Sequence, residues 1–233
     1  MMLELKDLDV FYDQSQVLRG VSLRVEAGEI VCLIGRNGVG KSTTMKAIVG
    51  LVRARGGAIS FKGQNMLGLP THRVARAGLG YVPEDRRVFG GLTVLQNLRV
   101  AMNPSRSGRP WTLSDIYEIF PVLEQRRGQL AGSLSGGEQQ MLTTARTLLG
   151  NPDLVLIDEP NEGLAPMYVQ RMNAMIREVH KRGTAVLLVE QSLASVKALA
   201  HRAYVMSKGE IVYQGGAQEL LSDPAVRQRY LEL

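Results

Sequence analysis

The segment GRNGVGKS, residues 35–42, matches the pattern G-x-x-x-x-G-K-[ST] in full. Its glycines let the backbone turn tightly enough for consecutive N–H groups to surround a phosphate, and the helix predicted to follow adds its positive end. We expect Lys41 to reach the β and γ phosphates of a nucleotide and the Ser42 hydroxyl to bind Mg²⁺. The residues expected to contact the nucleotide here are Gly35, Arg36, Asn37, Gly38, Val39, Gly40, Lys41, Ser42 and Thr43.

Two adjacent carboxylates, Asp158 and Glu159, follow the apolar run LVLI, and Pro160 comes directly after them. Beside a polyphosphate this pair would be repulsive unless a divalent cation intervened, so the pair implies Mg²⁺. We expect Asp158 to hold the metal through its water shell. Glu159 is expected to orient and deprotonate the attacking water, a general-base role worth roughly 10²–10⁴ in rate.

A second stretch that could take an anion is LSGGEQQ, residues 134–140. Ser135 and Glu138 have the S-x-x-E spacing of a capping box, which predicts a helix start. Gly136 and Gly137 fall in the first turn of that helix, where each glycine costs roughly 1 kcal/mol relative to alanine. A helix that needed only a cap would not need both glycines. We therefore expect their N–H groups to be open to an anion.

The elements that must position these motifs follow from the apolar pattern. Alternation predicts strands at LELKDLDV and VSLRVEA, and the continuous run IVCLIG predicts a strand buried on both faces, directly before the phosphate loop. Because several runs alternate with helical patterns, we expect βαβ units around a mostly parallel sheet in an α/β fold. Further strands are predicted at LGYV (79–82), LVLI (154–157), AVLLV (185–189) and AYVM (203–206).

Helical periodicity replaces the strand runs between roughly residues 92 and 150. Ile116, Ile119, Phe120 and Leu123 share one helical face. We expect this stretch to be a helical subdomain inserted into a single domain that covers residues 1–233, with the turn-rich segment NPSRSGRP (103–110) as a surface loop.

Composition narrows the classes of protein. The formal net charge is +6, but the basic residues are scattered, as on an ordinary solvated surface. The single cysteine, Cys32, lies in an apolar run and offers neither a disulfide framework nor a cysteine metal cluster. No apolar stretch approaches the ~18 residues needed to cross a bilayer. We expect a chain that is soluble by itself in a reducing compartment.

The order of the three motifs resembles that of the ATP-binding-cassette (ABC) family. GRNGVGKS stands as Walker A, LSGGEQQ as the signature and LVLIDEP as Walker B, and the resemblance runs from LELKDLDVFY to VYQGG. It implies a P-loop NTPase domain with a RecA-like, mostly parallel core sheet, an N-terminal antiparallel β part and the helical insertion. In that family two ATP-binding subunits face each other head to tail. The resemblance therefore implies that Ser135, Gly136 and Gly137 contact ATP held by the other subunit.

Other positions carry over from the same resemblance. Tyr12 matches the aromatic residue that stacks on adenine. The loop 161–166, NEGLAP, matches the one that meets the opposite subunit, with Asn161 where serine is usual. Glu84 stands where most of the family has a glutamine near Mg²⁺, at the start of the segment that contacts the membrane subunits. A carboxylate can still ligate the metal, so Glu84 is expected as a metal ligand, although its charge departs from the family pattern. Gln191 occupies the position of the histidine that touches the γ-phosphate; because an amide cannot titrate, we expect hydrolysis to depend on the general base.

These departures together resemble the branched-chain amino acid (Liv-type) importers, particularly the LivF-type subunit. That likeness implies permease subunits and a second ATP-binding subunit that is a copy or a paralogue. It also implies a periplasmic or extracellular solute-binding protein in indirect contact, and a peripheral place on the cytoplasmic face of the bacterial inner membrane. Related importers of urea, amides or other amino acids stay open. So does a regulatory partner that holds ATP with little hydrolysis, although Glu159 argues against it. A nucleic-acid ATPase of the superfamily would need a coiled-coil or zinc-bearing insertion, so no nucleic acid is expected.

Overall fold

The computed structural model describes residues 1–102 and 110–231, which form two sheets with helices packed around them. Residues 103–109 of the predicted surface loop lie outside the described ranges. The strands are β1 (Leu3–Tyr12), β2 (Ser15–Val25), β3 (Ile30–Ile34), β4 (Ala54–Phe61), β5 (Gln64–Asn65), β6 (Leu79–Val82), β7 (Leu154–Asp158), β8 (Ala185–Glu190), β9 (Arg202–Ser207) and β10 (Glu210–Gly216).

Helix α2 lies between β5 and β6, helices α3 to α6 lie between β6 and β7, and the other helices come after strands of the larger sheet. No helix in the described ranges is both long enough and apolar enough to span a bilayer. They are α1 (Lys41–Ile48), α2 (Thr71–Ala77), α3 (Val94–Ala101), α4 (Leu113–Ile119), α5 (Pro121–Gln125), α6 (Gly136–Leu149), α7 (Pro166–Lys181), α8 (Leu193–Leu199), α9 (Ala217–Ser222) and α10 (Pro224–Tyr230).

The larger sheet has the strand order β10-β9-β3-β8-β7-β6. Its neighbours are parallel except for β10, which pairs antiparallel with β9. Every residue of β3, β7 and β8 is buried, as the continuous apolar runs predicted. Because these three strands are parallel and adjacent, their carboxyl ends meet at one edge of the sheet, where Ile34 pairs with Glu190 and Asp158 with Val189.

The smaller sheet is antiparallel, with the order β2-β1-β4-β5. The alternating pattern of β1 and β2 places residues such as Leu3, Leu5 and Val21 in a core shared with helix α1 and one face of the parallel sheet. Strand β4 was not predicted from the sequence, because Gly56 and Gly57 interrupt its apolar pattern. Its partner strand β1 is nevertheless paired with it along most of its length.

The segment between β6 and β7 contains helices α3 to α6, which pack around a second core that includes Phe120 and Leu123. The single helical face predicted from Ile116 to Leu123 is wrong in one respect, since the helix breaks in the middle. Helix α4 ends at Ile119 and α5 begins at Pro121, because proline has no N–H to donate and disfavours helical backbone at the residue before it. Phe120 still lies fully buried between the two pieces.

Candidate functional site

The phosphate loop, residues 35–42, joins the buried strand β3 to helix α1. Gly40 caps that helix with φ of 114°, a left-handed conformation that favours glycine, and a Cβ there would lie 2.7 Å from the Leu18 side chain. A Cβ on Gly35 would collide with the carbonyl oxygen of Met206. The loop borders a cavity of about 270 Å³, lined by Val17, Asn37, Gly38, Gly40, Lys41, Ser42, Thr43, Glu84, Glu159 and Glu162.

Lys41 is the cation of this cavity. Its side chain is only 3% exposed, and its Nζ donates hydrogen bonds to the carbonyl oxygens of Gly35 and Arg36, both at 2.9 Å. The same Nζ lies 3.1 Å from Oε1 of Glu159, whose side chain is also buried. The loop carbonyls therefore hold the ammonium group in place, and a triphosphate in the cavity would share it with Glu159.

Asp158, the last residue of β7, is held by two hydroxyl groups. Ser42 Oγ donates to Oδ1 at 3.1 Å and Tyr81 Oη donates to Oδ2 at 3.2 Å. Burial raises the pKa of Asp158, these two hydrogen bonds oppose the rise, and the charges of Glu159 and Glu84 add to it. Tyr81 was not among the site residues predicted from the sequence; its place in β6, beside β7, brings it to Asp158.

Glu159 has a strained backbone and a fixed side chain. Its φ is +43°, in the left-handed region that non-glycine residues rarely adopt, and its N–H donates to Val189 O at 3.1 Å. The Gln191 amide donates to Oε2 of Glu159 and, at 3.4 Å, to Oε2 of Glu162. Burial opposes ionisation of Glu159, but the hydrogen bonds with Glu162 and Gln191 and the charge of Lys41 outweigh it, so its pKa is lowered.

Glu162 is a second carboxylate in the same cavity as Glu159, and it was not among the site residues predicted from the sequence. Its hydrogen bond with Glu159, then burial and the negative charges around it, raise the pKa of Glu162 to about 7. At neutral pH it is therefore partly protonated, and it can share a proton with Glu159. Spacing alone could not have marked it, because a glutamate in an exposed loop is common.

The oxygen atoms around Ser42 suit a hard cation. Ser42 and Glu84 line the cavity, and Asp158 contacts Ser42 directly. In the described part of the chain, no group of three or more His, Cys, Asp and Glu side chains lies close enough to hold a metal by itself. One hydroxyl and two carboxylates, completed by phosphate oxygens, fit Mg²⁺, which is usually bound by one or two carboxylates together with a substrate's phosphates.

The signature stretch starts helix α6 with the predicted capping box. The Ser135 N–H donates to Oε2 of Glu138 at 2.9 Å, and the Glu138 N–H donates to the Ser135 hydroxyl at 3.4 Å. Both glycines also have a packing reason that the sequence did not indicate. A Cβ on Gly136 would collide with the Arg86 guanidinium, and one on Gly137 would lie 3.0 Å from the ring of Tyr168.

Two groups of predicted nucleotide contacts lie away from the phosphate cavity. Tyr12 ends β1 with 45% of its surface exposed, and it is absent from the described residues that line the cavity. The same holds for Ser135, Gly136 and Gly137, so within the described ranges one chain does not bring its signature glycines to its own phosphate loop. Of the remaining loop residues, Arg36 contributes its carbonyl to Lys41, and the Val39 carbonyl accepts from the Gly209 N–H.

In the larger sheet the phosphate loop follows β3, and the paired carboxylates lie at the end of β7, two strands away. This arrangement defines a P-loop nucleoside triphosphatase. The family model described as "ABC transporter" matches residues 18–162. The chain is 41% identical over 231 residues, 99% of both chains, to the high-affinity branched-chain amino acid transport ATP-binding protein BraG of Pseudomonas aeruginosa. It is 35% identical over 230 residues, 97% of this chain and 95% of the relative, to the lipopolysaccharide export system ATP-binding protein LptB of Escherichia coli K12.

Solved structures agree with this. A nucleotide-free ATP-binding cassette from an ABC transporter superposes with a TM-score of 0.83 at 26% identity, covering 97% of this chain and 96% of that one. The ADP conformation of another such cassette, MJ1267, gives 0.82 at 25% identity, covering 97% of both chains. The chain belongs to the ABC transporter family, as an ATP-binding and ATP-hydrolysing subunit. The α/β fold predicted from the sequence is confirmed.

Proposed function

We propose that this chain powers an importer of branched-chain amino acids. The observation that carries the proposal is the full-length similarity to BraG, a protein named for branched-chain amino acid transport. The two chains align over 99% of each, so almost the whole of the relative has a counterpart in this chain. On this proposal the chain itself does not touch the amino acid, and its contribution is the free energy of ATP hydrolysis.

The roles proposed for the site residues follow from their positions. Lys41 binds the β and γ phosphates from a fixed place above the loop carbonyls. Ser42, Asp158 and Glu84 would hold Mg²⁺, which when bound neutralises charge on the phosphate oxygens. The geometry that supports this is the direct contact of the Ser42 hydroxyl with the Asp158 carboxylate.

Glu159 is proposed as the general base that takes a proton from the attacking water. Its lowered pKa keeps it ionised at neutral pH, as a base must be. Gln191 acts by orientation, because its amide donates a hydrogen bond to the carboxylate and does not titrate. Glu162 has a pKa of about 7, so part of it is ionised at neutral pH, and in that ionised form it can receive the proton from Glu159 next.

We further propose that two ATP-binding subunits, copies or paralogues, pair head to tail around two ATP molecules. The support in this chain is the separation of its two anion-binding features, since the glycines after Ser135 do not line the cavity of the described phosphate loop. Each signature is then available for ATP held by the other subunit. Tyr12, exposed at the end of β1, is free to stack on the adenine ring.

The segment 84–89 and the inserted helices are proposed to contact the permease subunits. The two are fastened to each other: the Phe89 N–H donates to Oδ1 of Asn97 at 2.9 Å, and the Asn97 amide donates to Phe89 O at 3.0 Å. The Arg146 guanidinium lies 4.5 Å from the centre of the Phe89 ring, which is half exposed. Arg146 belongs to helix α6, which starts at the signature. A movement of the signature can therefore be transmitted through Arg146 to the exposed Phe89 ring.

Localisation and the remaining partner belong to the same proposal. An importer of this type would place the chain peripherally on the cytoplasmic face of the inner membrane, held there by its permease subunits. A solute-binding protein on the other side would deliver the substrate, without touching this chain. Phe89, 49% exposed in the segment 84–89, is the side chain we would crosslink first to capture a permease subunit.

Transport in proteoliposomes tests the substrate. The chain would be reconstituted with the permease and binding-protein products of its neighbouring genes, with ATP on the side of this chain. We expect labelled leucine to accumulate in wild type and not in Glu159→Gln, and unlabelled isoleucine and valine to compete where urea and acetamide do not. Competition by urea or acetamide alone would assign the amide-type importers instead.

Export is the second candidate, because the chain is also 35% identical to LptB of Escherichia coli along nearly its whole length. The same proteoliposomes distinguish the two directions. An exporter would drive ATP-dependent loss of lumenal substrate, require no solute-binding protein and show no accumulation of leucine. If the chain bound ATP but released no phosphate in these proteoliposomes, with or without the binding protein, it would be the regulatory partner left open by Glu84 and Gln191.

A further inference from the structure

Asn161, in the loop after β7, reaches across to the end of the neighbouring strand β8. Its Nδ2 donates a hydrogen bond to Oε1 of Glu190 at 2.9 Å. The same nitrogen lies 3.4 Å from the Ser195 hydroxyl and 3.3 Å from Oδ1 of Asn173. Asn161 is the position where the sequence departs from the usual serine, and its longer side chain is what spans the gap to β8.

Glu190 is a carboxylate in an unusual environment, only 5% exposed at the end of a buried strand. A buried carboxylate is costly unless donors satisfy it. Burial raises the pKa of Glu190, and hydrogen bonds from Asn161, from Ser195 and from the Gln191 backbone oppose the rise. Two of these donors, the Gln191 backbone and the Ser195 side chain, lie within five residues after Glu190 in the sequence. Asn161 is the donor that comes from another loop, so this bond ties two separate loops together.

The hydrogen bond between Asn161 and Glu190 lies next to the proposed general base, Glu159. Gln191, the residue after Glu190, donates its amide to Glu159, and Glu159 lies two residues before Asn161. Side-chain hydrogen bonds therefore join the two loops at Glu159 itself, at Glu162 and at Asn161. A backbone φ of +43° at Glu159 is strained and persists only where neighbouring contacts over-determine it. Asn161 supplies one of those contacts.

We propose that Asn161 is a positioning residue for ATP hydrolysis: its hydrogen bond to Glu190 holds the loop after β7 against the end of β8 and keeps the Gln191 amide on Glu159. The proposal rests on Glu159 being the general base. Asn161 itself touches no reacting atom. The amide at position 161 and the carboxylate at position 190 are complementary, since one donates the hydrogen bond and the other accepts it.

The test measures steady-state phosphate release and thermal unfolding of the full chain. Asn161→Leu keeps the size of the side chain and removes the donor; we expect kcat to fall about tenfold, the effect of losing one hydrogen bond to a charged group, with KM for ATP within about twofold. Ser195→Ala is the matched control, because it removes a donor from the same carboxylate and leaves the 2.9 Å hydrogen bond between Asn161 and Glu190 in place. We expect its kcat to stay within about threefold of wild type.

An exchange of the pair gives the sharper readout and stands even if the leucine variant fails to fold. Asn161→Asp alone sets two carboxylates against each other and should lower kcat at least as far as leucine does. Adding Glu190→Gln restores one donor and one acceptor with their places exchanged, and we expect kcat to recover to within about threefold of wild type. Recovery of the melting temperature without recovery of kcat would leave only a structural role and overturn the proposal.

Wild type and Glu159→Gln are measured in parallel to separate the two assignments. If Glu159→Gln turns ATP over at the wild-type rate, the general base is wrongly assigned and the positioning role falls with it. If Glu159→Gln is inactive while Asn161→Leu matches wild type in kcat, the general base stands and the positioning role alone is refuted.

Discussion

Replacing Glu159 with glutamine should tighten nucleotide binding while it stops hydrolysis, because the carboxylate and the phosphates use the same ammonium group. Lys41 Nζ lies 3.1 Å from Oε1 of Glu159, and both side chains are buried. A nucleotide that enters the cavity must draw on Lys41 at the expense of this contact. Glutamine keeps the shape of the side chain but removes its charge.

The size of the effect follows from that one contact. A hydrogen bond to a charged group contributes about 1.5–3 kcal/mol net. In Glu159→Gln the contact with Lys41 is already weaker before nucleotide binds, so less of it is lost on binding. Nucleotide affinity should therefore improve about ten- to a hundredfold. Turnover should fall by roughly 10²–10⁴, the contribution of a positioned general base. The two changes go in opposite directions, which a variant that merely unfolds the site cannot produce.

Affinity is best measured by equilibrium titration with ADP, because ADP has no γ-phosphate to bridge two chains, and phosphate release from ATP reports turnover. Glu162→Gln is the comparison variant: it removes a carboxylate from the same cavity, but one that makes no ion pair with Lys41 in the described structure. Any gain common to both variants reflects general charge repulsion. If a folded Glu159→Gln binds ADP no more tightly than Glu162→Gln, the competition for Lys41 is refuted.

Three further changes have definite expected outcomes. Lys41→Ala should weaken ADP binding by at least about tenfold in the same titration, opposite in sign to the glutamine variant; unchanged affinity would contradict its phosphate role. Tyr81→Phe removes a donor from Asp158, and we expect the Mg²⁺ concentration for half-maximal phosphate release to rise about tenfold; an unchanged magnesium dependence would exclude this role. Asp115 pairs with Arg182 at 2.8 Å, and this bond lowers the pKa of Asp115. The stability that this ion pair contributes is present above the unfolded pKa of about 3.9 and is lost as the pH falls below it. In urea titrations, Asp115→Asn should therefore cost about 2–3 kcal/mol of unfolding free energy at pH 7, and progressively less below pH 4. An equal cost at pH 7 and pH 3 would rule out the ion pair as the cause.

Local rules over a few residues accounted for most of the elements and for the separate pieces of the site. The capping box at Ser135 and Glu138 forms as its spacing predicted. The continuous apolar runs became fully buried parallel strands. The elements that the sequence did not predict also have local causes: two glycines interrupt the apolar pattern of β4, and Pro121 breaks the helix between Ile119 and Leu123.

The sequence by itself determined the chemistry of this protein, because the phosphate loop, the pair of carboxylates and the second glycine-rich turn are each encoded by residues that are neighbours in the chain. Only the tertiary structure decided how those pieces are held. Tyr81 meets Asp158 across 77 residues of chain, and Asn161 meets Glu190 across 29. Such contacts depend on strand order and register, which bring the carboxyl ends of parallel strands to one edge, and strand order is set by the burial of whole elements against each other. No pattern within a single segment contains that information.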